Sequence, residues 1–357
     1  MKEIAILTLP LNNYNYGGIL QAFALQTYLK EIFRVNVHHV DRQYNLSASV
    51  RMKMKVHNLL NPTLVKGQKA YYEPMIRFIK ENIELSKPIC SPKALERHLR
   101  YNKVDMLVTG SDQVWRKKYA FNIANDLFLD IPYNCKKISY AASFGTEEEK
   151  EDGIENRLMH LDAVSVREKA AQEYLKSLGI QAFHHIDPTL LLDKKIYGEL
   201  ADKSKKEYTG AVAAYVLDRN DQVVANIKGF ARSKGIPLNF VGEKINITSQ
   251  NCKNITTAVD SIEDWLKAFR DADYIVTDSF HGCVFSILFN KQFITLGNVD
   301  RGLSRFLSLL EMFGLHERLI TSFEGLDKLF LPIDYISVNH LLDNCRIQAL
   351  DYFNTIN

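Results

Sequence analysis

The chain has few cysteines, a small net charge and no long apolar run, and each absence narrows the choice of protein class. Its five cysteines are scattered without a C-x-x-C pair, which argues against a disulfide framework or a zinc site and fits a reducing cytoplasm. The formal net charge of +3 over 357 residues does not indicate nucleic-acid binding. No apolar run approaches the roughly 20 residues that span a bilayer. We therefore expect a cytoplasmic protein without a nucleic-acid partner.

The sequence also lacks the marks of a signal peptide, a dinucleotide site and a metal site. Its first residues, MKEIAILTLPLNNYNYGG, have no small-residue cleavage site and are expected to form a first β-strand. No G-x-G-x-x-G follows that strand. His184, His185 and Asp187 offer metal-ligand types, but neighbouring strand residues face opposite sides and no third ligand is near. We expect neither a metal nor a cofactor.

Short apolar runs alternate with helical stretches through most of the chain, and 46% of the residues are hydrophobic. Strands separated by helices predict parallel sheets built from βαβ units. A polar, lysine-rich segment at 193–210 indicates a domain boundary, after which the alternation restarts. The sequence therefore predicts an α/β protein with two Rossmann-like domains, at 1–195 and 205–357, in a GT-B-like arrangement with a central cleft.

Residues 46–100 fit this alternation least well and are expected to form a helical insertion in the first domain. Within them, SASVRMKMKVHNLL alternates basic and apolar residues. One interpretation is a solvated helix with an apolar inner face. The other is a surface that touches a membrane or a lipid-linked substrate through Arg51, Lys53 and Lys55. The sequence leaves both open.

Polar motifs follow several predicted strands, where open α/β sheets bind ligands. In NNYNYGGILQ, two glycines let the backbone approach a ligand and the following helix N-terminus attracts anions. Capping of a tight turn explains the same residues equally well, and N-capping or an ion pair competes with ligand binding at the other motifs. The candidate ligand-binding residues are Asn15, Gly17 and Gly18 here, Ser111, Asp112 and Gln113 in VTGSDQVWR, Ser143 in SYAASFG, and Arg167 in VSVREK.

The stretch TDSFHGCVFSILF runs from a strand end directly into an apolar helix. Asp278 or Ser279 suffices to cap that helix, which leaves His281 for another role. A histidine at a helix N-terminus is suited to an anionic ligand. Further on, Arg301 and Arg305 are spaced i, i+4, which places two cations on one face of a predicted helix.

Taken together, NYNYGGILQAFAL, VTGSDQVW, SYAASFG, SVREK, DPTLLL, TDSFHG and RGLSRF resemble the polysaccharide pyruvyl transferase family, from about residue 4 to 316. The resemblance implies a GT-B-like fold and transfer of pyruvate from phosphoenolpyruvate onto a pair of sugar hydroxyls as a ketal. It implies a role in bacterial polysaccharide biosynthesis, such as that of capsule or exopolysaccharide. The first domain is then the acceptor side and the second the phosphoenolpyruvate side.

The family commonly has an Arg-x-His element at the TDSFHG position, and here Ser279 replaces the arginine. The resemblance implies that His281 contacts the phosphate or carboxylate of phosphoenolpyruvate and donates a proton. Asp278 is then expected to orient His281 or to act as a base. The missing positive charge falls to Arg167, Arg301 or Arg305.

Two other functions compete with ketal formation. A GT-B architecture equally fits a glycosyltransferase that uses a nucleotide sugar, and Ser279 favours a non-catalytic glycan-binding homologue. For the transferase, phosphoenolpyruvate is a co-substrate and the acceptor is a glycan. We expect that glycan to be linked to polyprenyl diphosphate, with peripheral contact at the inner face of the membrane.

Overall fold

The protein is described by a computed structural model that covers residues 1–145, 153–208, 211–252, 255, 257–297 and 303–356. Its first half forms a sheet in which all paired strands are parallel, in the order β2-β1-β3-β4-β5-β6. The strands are β1 (Glu3–Leu7), β2 (Asn36–His39), β3 (Met106–Asp112), β4 (Lys136–Ala142), β5 (Val164–Val166) and β6 (Ala182–His184).

A second parallel sheet follows, in the order β11-β10-β9-β7-β8. Since both sheets alternate with helices, the prediction of two α/β domains is confirmed. The central strands of both sheets are buried almost throughout, as expected where helices cover both faces. The strands are β7 (Val212–Tyr215), β8 (Leu238–Phe240), β9 (Tyr274–Thr277), β10 (Gln292–Leu296) and β11 (Leu319–Ile320).

The helices around the sheets begin where the sequence supplies caps. Asn15 and Ser279 accept hydrogen bonds from the backbones of Gly18 and Gly282, and Ser261 forms a capping box with Asp264. The helices are α1 (Tyr16–Phe33), α2 (Ala48–Leu60), α3 (Pro62–Tyr71), α4 (Glu73–Asn82), α5 (Pro92–Asn102), α6 (Lys117–Ala120), α7 (Ala124–Leu127), α8 (Ile154–Leu158), α9 (Lys169–Ser177), α10 (Lys194–Ala201), α11 (Asp221–Ser233), α12 (Ile262–Asp271), α13 (Phe280–Leu288), α14 (Ser304–Met312) and α15 (Tyr335–Ile356).

An aromatic contact joins the two domains beside the cleft. Tyr16, the first residue of α1, is fully buried and stacks on Trp265 of the second domain, with ring centroids 5.6 Å apart. Its hydroxyl donates a hydrogen bond to the carbonyl of Asp260 at 2.8 Å. Because α1 starts at this contact, the N-terminus of α1 has a fixed position relative to the second domain.

The last helix also connects the domains. Although α15 follows the second sheet, its C-terminal turns pack on the first domain. The Tyr352 hydroxyl donates to the Ser139 carbonyl at 2.7 Å, and Phe353 packs against Phe33. The sequence, which places residues 205–357 in one domain, gives no indication of this crossing.

The insertion contributes four helices, α2 to α5, between β2 and β3. Of these, α4 and α5 bury apolar side chains in the first domain, whereas α2 buries none. None of the helices among the described residues is long and apolar enough to span a bilayer.

Candidate functional site

The candidate site lies where the carboxyl ends of the two sheets meet. In the first sheet, Asp112 ends β3 and Arg167 follows β5. In the second, Ser279 follows β9 and His281 lies in the first turn of α13. The sequence motifs from both domains therefore converge, as expected for ligand sites in parallel sheets.

His281 lies directly against the N-terminus of α1. A Cβ atom built on Gly17 would be 2.0 Å from His281 Nδ1, so only glycine leaves room for the imidazole there. His281 is 7% exposed. The first turns of α1 and α13 therefore meet at this ring, and both helix N-termini attract anions.

The carboxylate beside His281 is that of Asp187, which lies 3.6 Å away, from Oδ2 to Nε2. Asp187 is almost completely buried and accepts hydrogen bonds from Ser111 and Thr189. Arg167 Nη1 donates to the same Oδ2 at 2.9 Å. Burial disfavours ionisation of this carboxyl, but His281, Arg167 and the hydrogen bonds outweigh it. The pKa of Asp187 therefore lies well below its usual value.

Arg167 is buried between the two domains. Its guanidinium lies over the ring of Phe280, 4.2 Å from the centroid, and its Nη2 is 3.5 Å from Asp112 Oδ1. Its Nε is 3.5 Å from Glu168 Oε1. Burial raises the pKa of the Glu168 carboxyl, although Arg167 and a 2.5 Å hydrogen bond from Ser143 act in the opposite direction.

Two more arginines belong to this cluster. Arg305, in the first turn of α14, is half-buried. Burial, followed by the like charge of Arg167, lowers the pKa of its guanidinium to about 10, and Arg116 adds a smaller repulsion. Arg116 donates to Gln113 Oε1 at 2.8 Å. An anion bound here would relieve the repulsion among the three guanidinium groups.

Two buried donors in the cluster are unsatisfied. His281 Nε2 and Arg167 Nη2 make no hydrogen bond of good geometry among the described residues, and their nearest carboxylate oxygens, of Asp187 and Asp112, are 3.6 and 3.5 Å away. A buried donor without a partner costs about 1–3 kcal/mol, and buried polar groups in proteins are normally paired. Both donors belong to the group of side chains around Asp187 and Asp112, so a ligand with acceptor oxygens would satisfy them.

Asp112 is the carboxylate of this cluster that remains partly accessible. Its side chain is 18% exposed, and its φ of 68° is rare for a residue other than glycine. A Cβ on Gly18 would lie 4.0 Å from Asp112 Oδ2, which places this carboxylate near the N-terminus of α1.

The other predicted binding residues have internal partners. Ser111 is fully buried, and its hydroxyl donates to the Ala141 carbonyl and to Asp187. Gln113 accepts from Arg116, and Ser143 donates to Glu168. Asn15 and Ser279 cap α1 and α13. These five side chains hydrogen-bond to the charged residues of the site or to the helix ends around it, and so hold them in position.

Asp278 has a different neighbourhood from the one the sequence indicates. Its two carboxylate oxygens accept from the backbone N–H groups of Leu217 and Asp218, at 2.6 and 2.8 Å. These bonds connect the ends of β9 and β7. The carboxylate that pairs with His281 is that of Asp187.

Arg301 lies outside the described residues, so the predicted pairing of Arg301 with Arg305 stays a prediction. Among the residues that are described, no group of three or more His, Cys, Asp or Glu side chains is arranged to hold a metal ion.

Sequence reasoning missed Asp187, Glu168 and Arg116 as members of the site. In the sequence, Asp187 has the residue type of a metal ligand, but like the other motif residues it follows a strand. Glu168 directly follows Arg167, and Arg116 lies one turn beyond Gln113. Reading each motif a few residues further along would have included all three.

The Gly17 contact predicts a position-specific stability effect. Gly17→Ala should lower the free energy of unfolding by about 1–3 kcal/mol, because the new methyl group overlaps the His281 ring. Gly18→Ala is the matched control, because its nearest atom is Asn15 Cβ at 3.6 Å. It should unfold like wild type or be more stable by up to about 1 kcal/mol, since alanine favours helix. Urea titration distinguishes the two, and equal stabilities would contradict the contact.

The fold and the site define a class: a protein of two parallel-sheet α/β domains of the GT-B type, with its site between them. UDP-GlcNAc 2-epimerase from Neisseria meningitidis bound to UDP-GlcNAc is similar, with a TM-score of 0.55 and 8% identity over 97% of this chain and 94% of that one. The UDP-GlcNAc 2-epimerase from Methanocaldococcus jannaschii has a TM-score of 0.53 and 14% identity, over 92% of this chain and 91% of that one. The glycotransferase of kitacinnamycin has a TM-score of 0.54 and 10% identity, over 99% of this chain and 98% of that one.

These identities establish the fold alone, and the GT-B prediction is confirmed. No curated protein matches the sequence. The family is shown by the polysaccharide pyruvyl transferase model, which matches residues 15–301. The chain belongs to that family, as the motifs indicated.

Proposed function

We propose that the protein transfers pyruvate from phosphoenolpyruvate to two hydroxyls of a glycan acceptor, forming a ketal. The observation that carries this proposal is the pair of buried, unsatisfied donors, His281 Nε2 and Arg167 Nη2, within a cluster of three arginines. Phosphoenolpyruvate has a phosphate and a carboxylate, and both supply the acceptor oxygens and negative charge that this cluster accommodates.

The cluster contains other arginines that can replace the one that the family commonly has at the position of Ser279. Arg167 and Arg116 both interact electrostatically with Arg305, and the N-termini of α1 and α13 meet near Arg167. We assign the phosphate to the planar fork of Arg305 and to Nη2 of Arg167, whose other donors face Asp187 and Glu168. Arg116 is the third cation near that group.

The chemistry requires one proton donor and one proton acceptor. His281 protonates C3 of phosphoenolpyruvate, which makes C2 electrophilic, and Asp187 holds the His281 ring in position. One sugar hydroxyl bonds to C2 and loses its proton, and the C–O bond to phosphate breaks with its electron pair leaving on phosphate. The second hydroxyl then bonds to C2 and loses its proton. One hydroxyl proton thus restores the proton that His281 gave to C3, and the other hydroxyl proton leaves on the phosphate.

Asp112 is the proposed proton acceptor for the sugar hydroxyls. Its carboxylate is partly exposed, lies 3.5 Å from Arg167 and faces the N-terminus of α1. The sequence indicated Asp278 for this role, but both Asp278 oxygens hold backbone N–H groups. The acceptor we propose is a glycan carried on polyprenyl diphosphate, which would reach Asp112 from the side of the first domain.

Conservative substitutions test the assignment of the anion. Arg305→Lys keeps the charge but loses the planar fork, so the KM for phosphoenolpyruvate should rise about tenfold. Arg167→Lys should also lower stability, because Arg167 holds the buried Asp187. Phosphate release at varied phosphoenolpyruvate measures the first effect, and urea unfolding the second.

Arg100→Lys is the matched control, because Arg100 forms an exposed i, i+4 pair with Glu96. It should behave like wild type in both assays. A wild-type KM in both the Arg305 and the Arg167 variants would mean that the phosphate binds elsewhere.

Ligand-dependent stability separates the competing functions. Phosphoenolpyruvate should raise the Tm by mass action, whereas a nucleotide sugar should not. The opposite pattern would favour a nucleotide-sugar glycosyltransferase. If phosphoenolpyruvate binds but no phosphate is released with any acceptor, the non-catalytic alternative is supported.

A further inference from the structure

The helix α2 is unusual because it buries no side chain. All of its 13 residues are classed as exposed, including Met52 at 63% and Leu59 at 79%. Monomeric proteins rarely leave contiguous large apolar side chains in water, and such patches mark interaction surfaces. A solvated helix with an apolar inner face was one interpretation of this stretch, and α2 has no such buried face.

The exposed side chains of α2 are arranged by chemistry around the helix. Met52, Val56 and Leu59 are spaced i, i+4, i+7 and form an apolar stripe. Lys55 and Lys53 lie on either side of this stripe at 100° per residue. An apolar stripe bordered by lysines is the pattern of helices that lie in the plane of a membrane interface.

The charge of the surrounding segment is of one sign. Residues 42–72 contain six Lys or Arg and no Asp or Glu. The chain as a whole has 42 acidic residues, so their absence here is local. A segment with exposed apolar and basic groups complements a surface that is apolar inside and negatively charged outside.

The base of α2 is fixed to the loop that carries part of the candidate site. Arg42 is fully buried and pairs with Asp126 at 2.6 Å. Asn45 and Asn122 exchange backbone and side-chain hydrogen bonds of 2.6–2.9 Å. These contacts connect α2 to the segment that follows Asp112 in the chain.

That segment has the same chemistry as α2. Residues 116–121, RKKYAF, include three basic side chains, and Phe121 is 72% exposed. The Tyr44 hydroxyl donates to the carbonyl of Tyr119 at 3.1 Å. The residues just before α2 are thus neighbours of this segment, which follows Asp112 of the candidate site in the chain.

We propose that α2 and residues 117–121 form a docking surface for an anionic lipid bilayer, with the apolar stripe of α2 in the interface. Met52, Val56 and Leu59 enter the headgroup region, and Arg51, Lys53 and Lys55 contact lipid phosphates. The inference that this surface presents the site to a lipid-linked acceptor rests on the proposed function. The lipid contact itself does not.

Sedimentation with vesicles tests the lipid contact. Wild type should bind vesicles containing phosphatidylglycerol at about 50 mM salt and bind much less at about 500 mM, because salt screens exposed charges. Vesicles of phosphatidylcholine alone should bind weakly. Neutralising Arg51, Lys53 and Lys55 to Gln should weaken binding about 100-fold, and Met52→Ser with Leu59→Ser at least about tenfold.

The controls make changes of the same type at other exposed positions. Ile336→Ser removes another exposed apolar residue, on α15, and Lys194→Gln with Lys195→Gln removes charge from α10. Both should bind like wild type. Since α2 buries nothing, its variants should retain the wild-type circular dichroism spectrum and Tm. His281→Ala should also bind vesicles normally, so a wrong assignment of the chemistry does not affect this result.

Two results would overturn the inference. One is equal binding of phosphatidylglycerol vesicles by wild type and by the α2 variants. The other is no binding by wild type at low salt, and a concentration-dependent dimer in sedimentation velocity that the Met52 and Leu59 variants abolish would then identify what covers α2. In that case α2 would be an interface between two copies of the chain.

Discussion

His281→Ala is expected to lower turnover by about 10²-fold or more, the usual contribution of a positioned general acid. The ring lies at the N-terminus of α13, against Gly17 and 3.6 Å from Asp187, outside the apolar body of that helix. The free energy of unfolding should therefore change little, although the turnover rate falls strongly. Phosphate release from phosphoenolpyruvate measures the rate, and urea unfolding measures the stability.

A double variant checks the contact between His281 and Gly17 that positions the ring. When His281 is present, the methyl group introduced by Gly17→Ala overlaps its ring. In the His281→Ala background that ring is gone, so the stability penalty of Gly17→Ala should shrink or vanish. The two substitutions should thus be non-additive, as expected for residues in contact. Near wild-type turnover in His281→Ala would remove this residue from the mechanism.

The fold was predictable because its information is local. The apolar runs of β1, β3 and β9 are short and continuous, as fully buried parallel strands require, and caps such as Asn15 and Ser279 precede the helices. The positions of the motifs at strand ends follow from the same pattern. The general location of the site could therefore be inferred from the sequence.

The partners within the site could not be inferred, because they are brought together across the cleft. Asp187 and His281 are in different domains, and the choice between Asp187 and Asp278 depends on how the two sheets face each other. Sequence proximity favoured Asp278, which instead binds two backbone N–H groups of its own sheet. The same limit applies to Gly17, whose role depends on a ring from the other domain.

The α2 helix illustrates a third case, in which the pattern was visible but its environment was not. Met52, Val56 and Leu59 have helical spacing whether they face a core or the solvent. Only the position of the neighbouring helices shows that α2 buries none of them.

Asp187→Asn is expected to be the most destabilising of these substitutions, by about 3–5 kcal/mol near neutral pH. The side chain is almost completely buried and receives hydrogen bonds from Arg167, Ser111 and Thr189. Asparagine keeps the shape but loses the charge, so the buried Arg167 loses its closest counter-ion. Ser111→Ala is the matched control. It removes one hydrogen bond to the same carboxylate and should cost only about 1 kcal/mol.

The pH dependence of this difference identifies its cause. Because the pKa of Asp187 is depressed in the folded protein, its contribution to stability is fully present above the unfolded value of about 4. That contribution decreases as the pH falls below about 4 towards the folded value. The difference between wild type and Asp187→Asn should thus be constant from about pH 5 to 8 and shrink only in more acidic solution. A difference that is absent at pH 7, or that instead grows on acidification, would mean that Asp187 does not stabilise the site as a buried carboxylate.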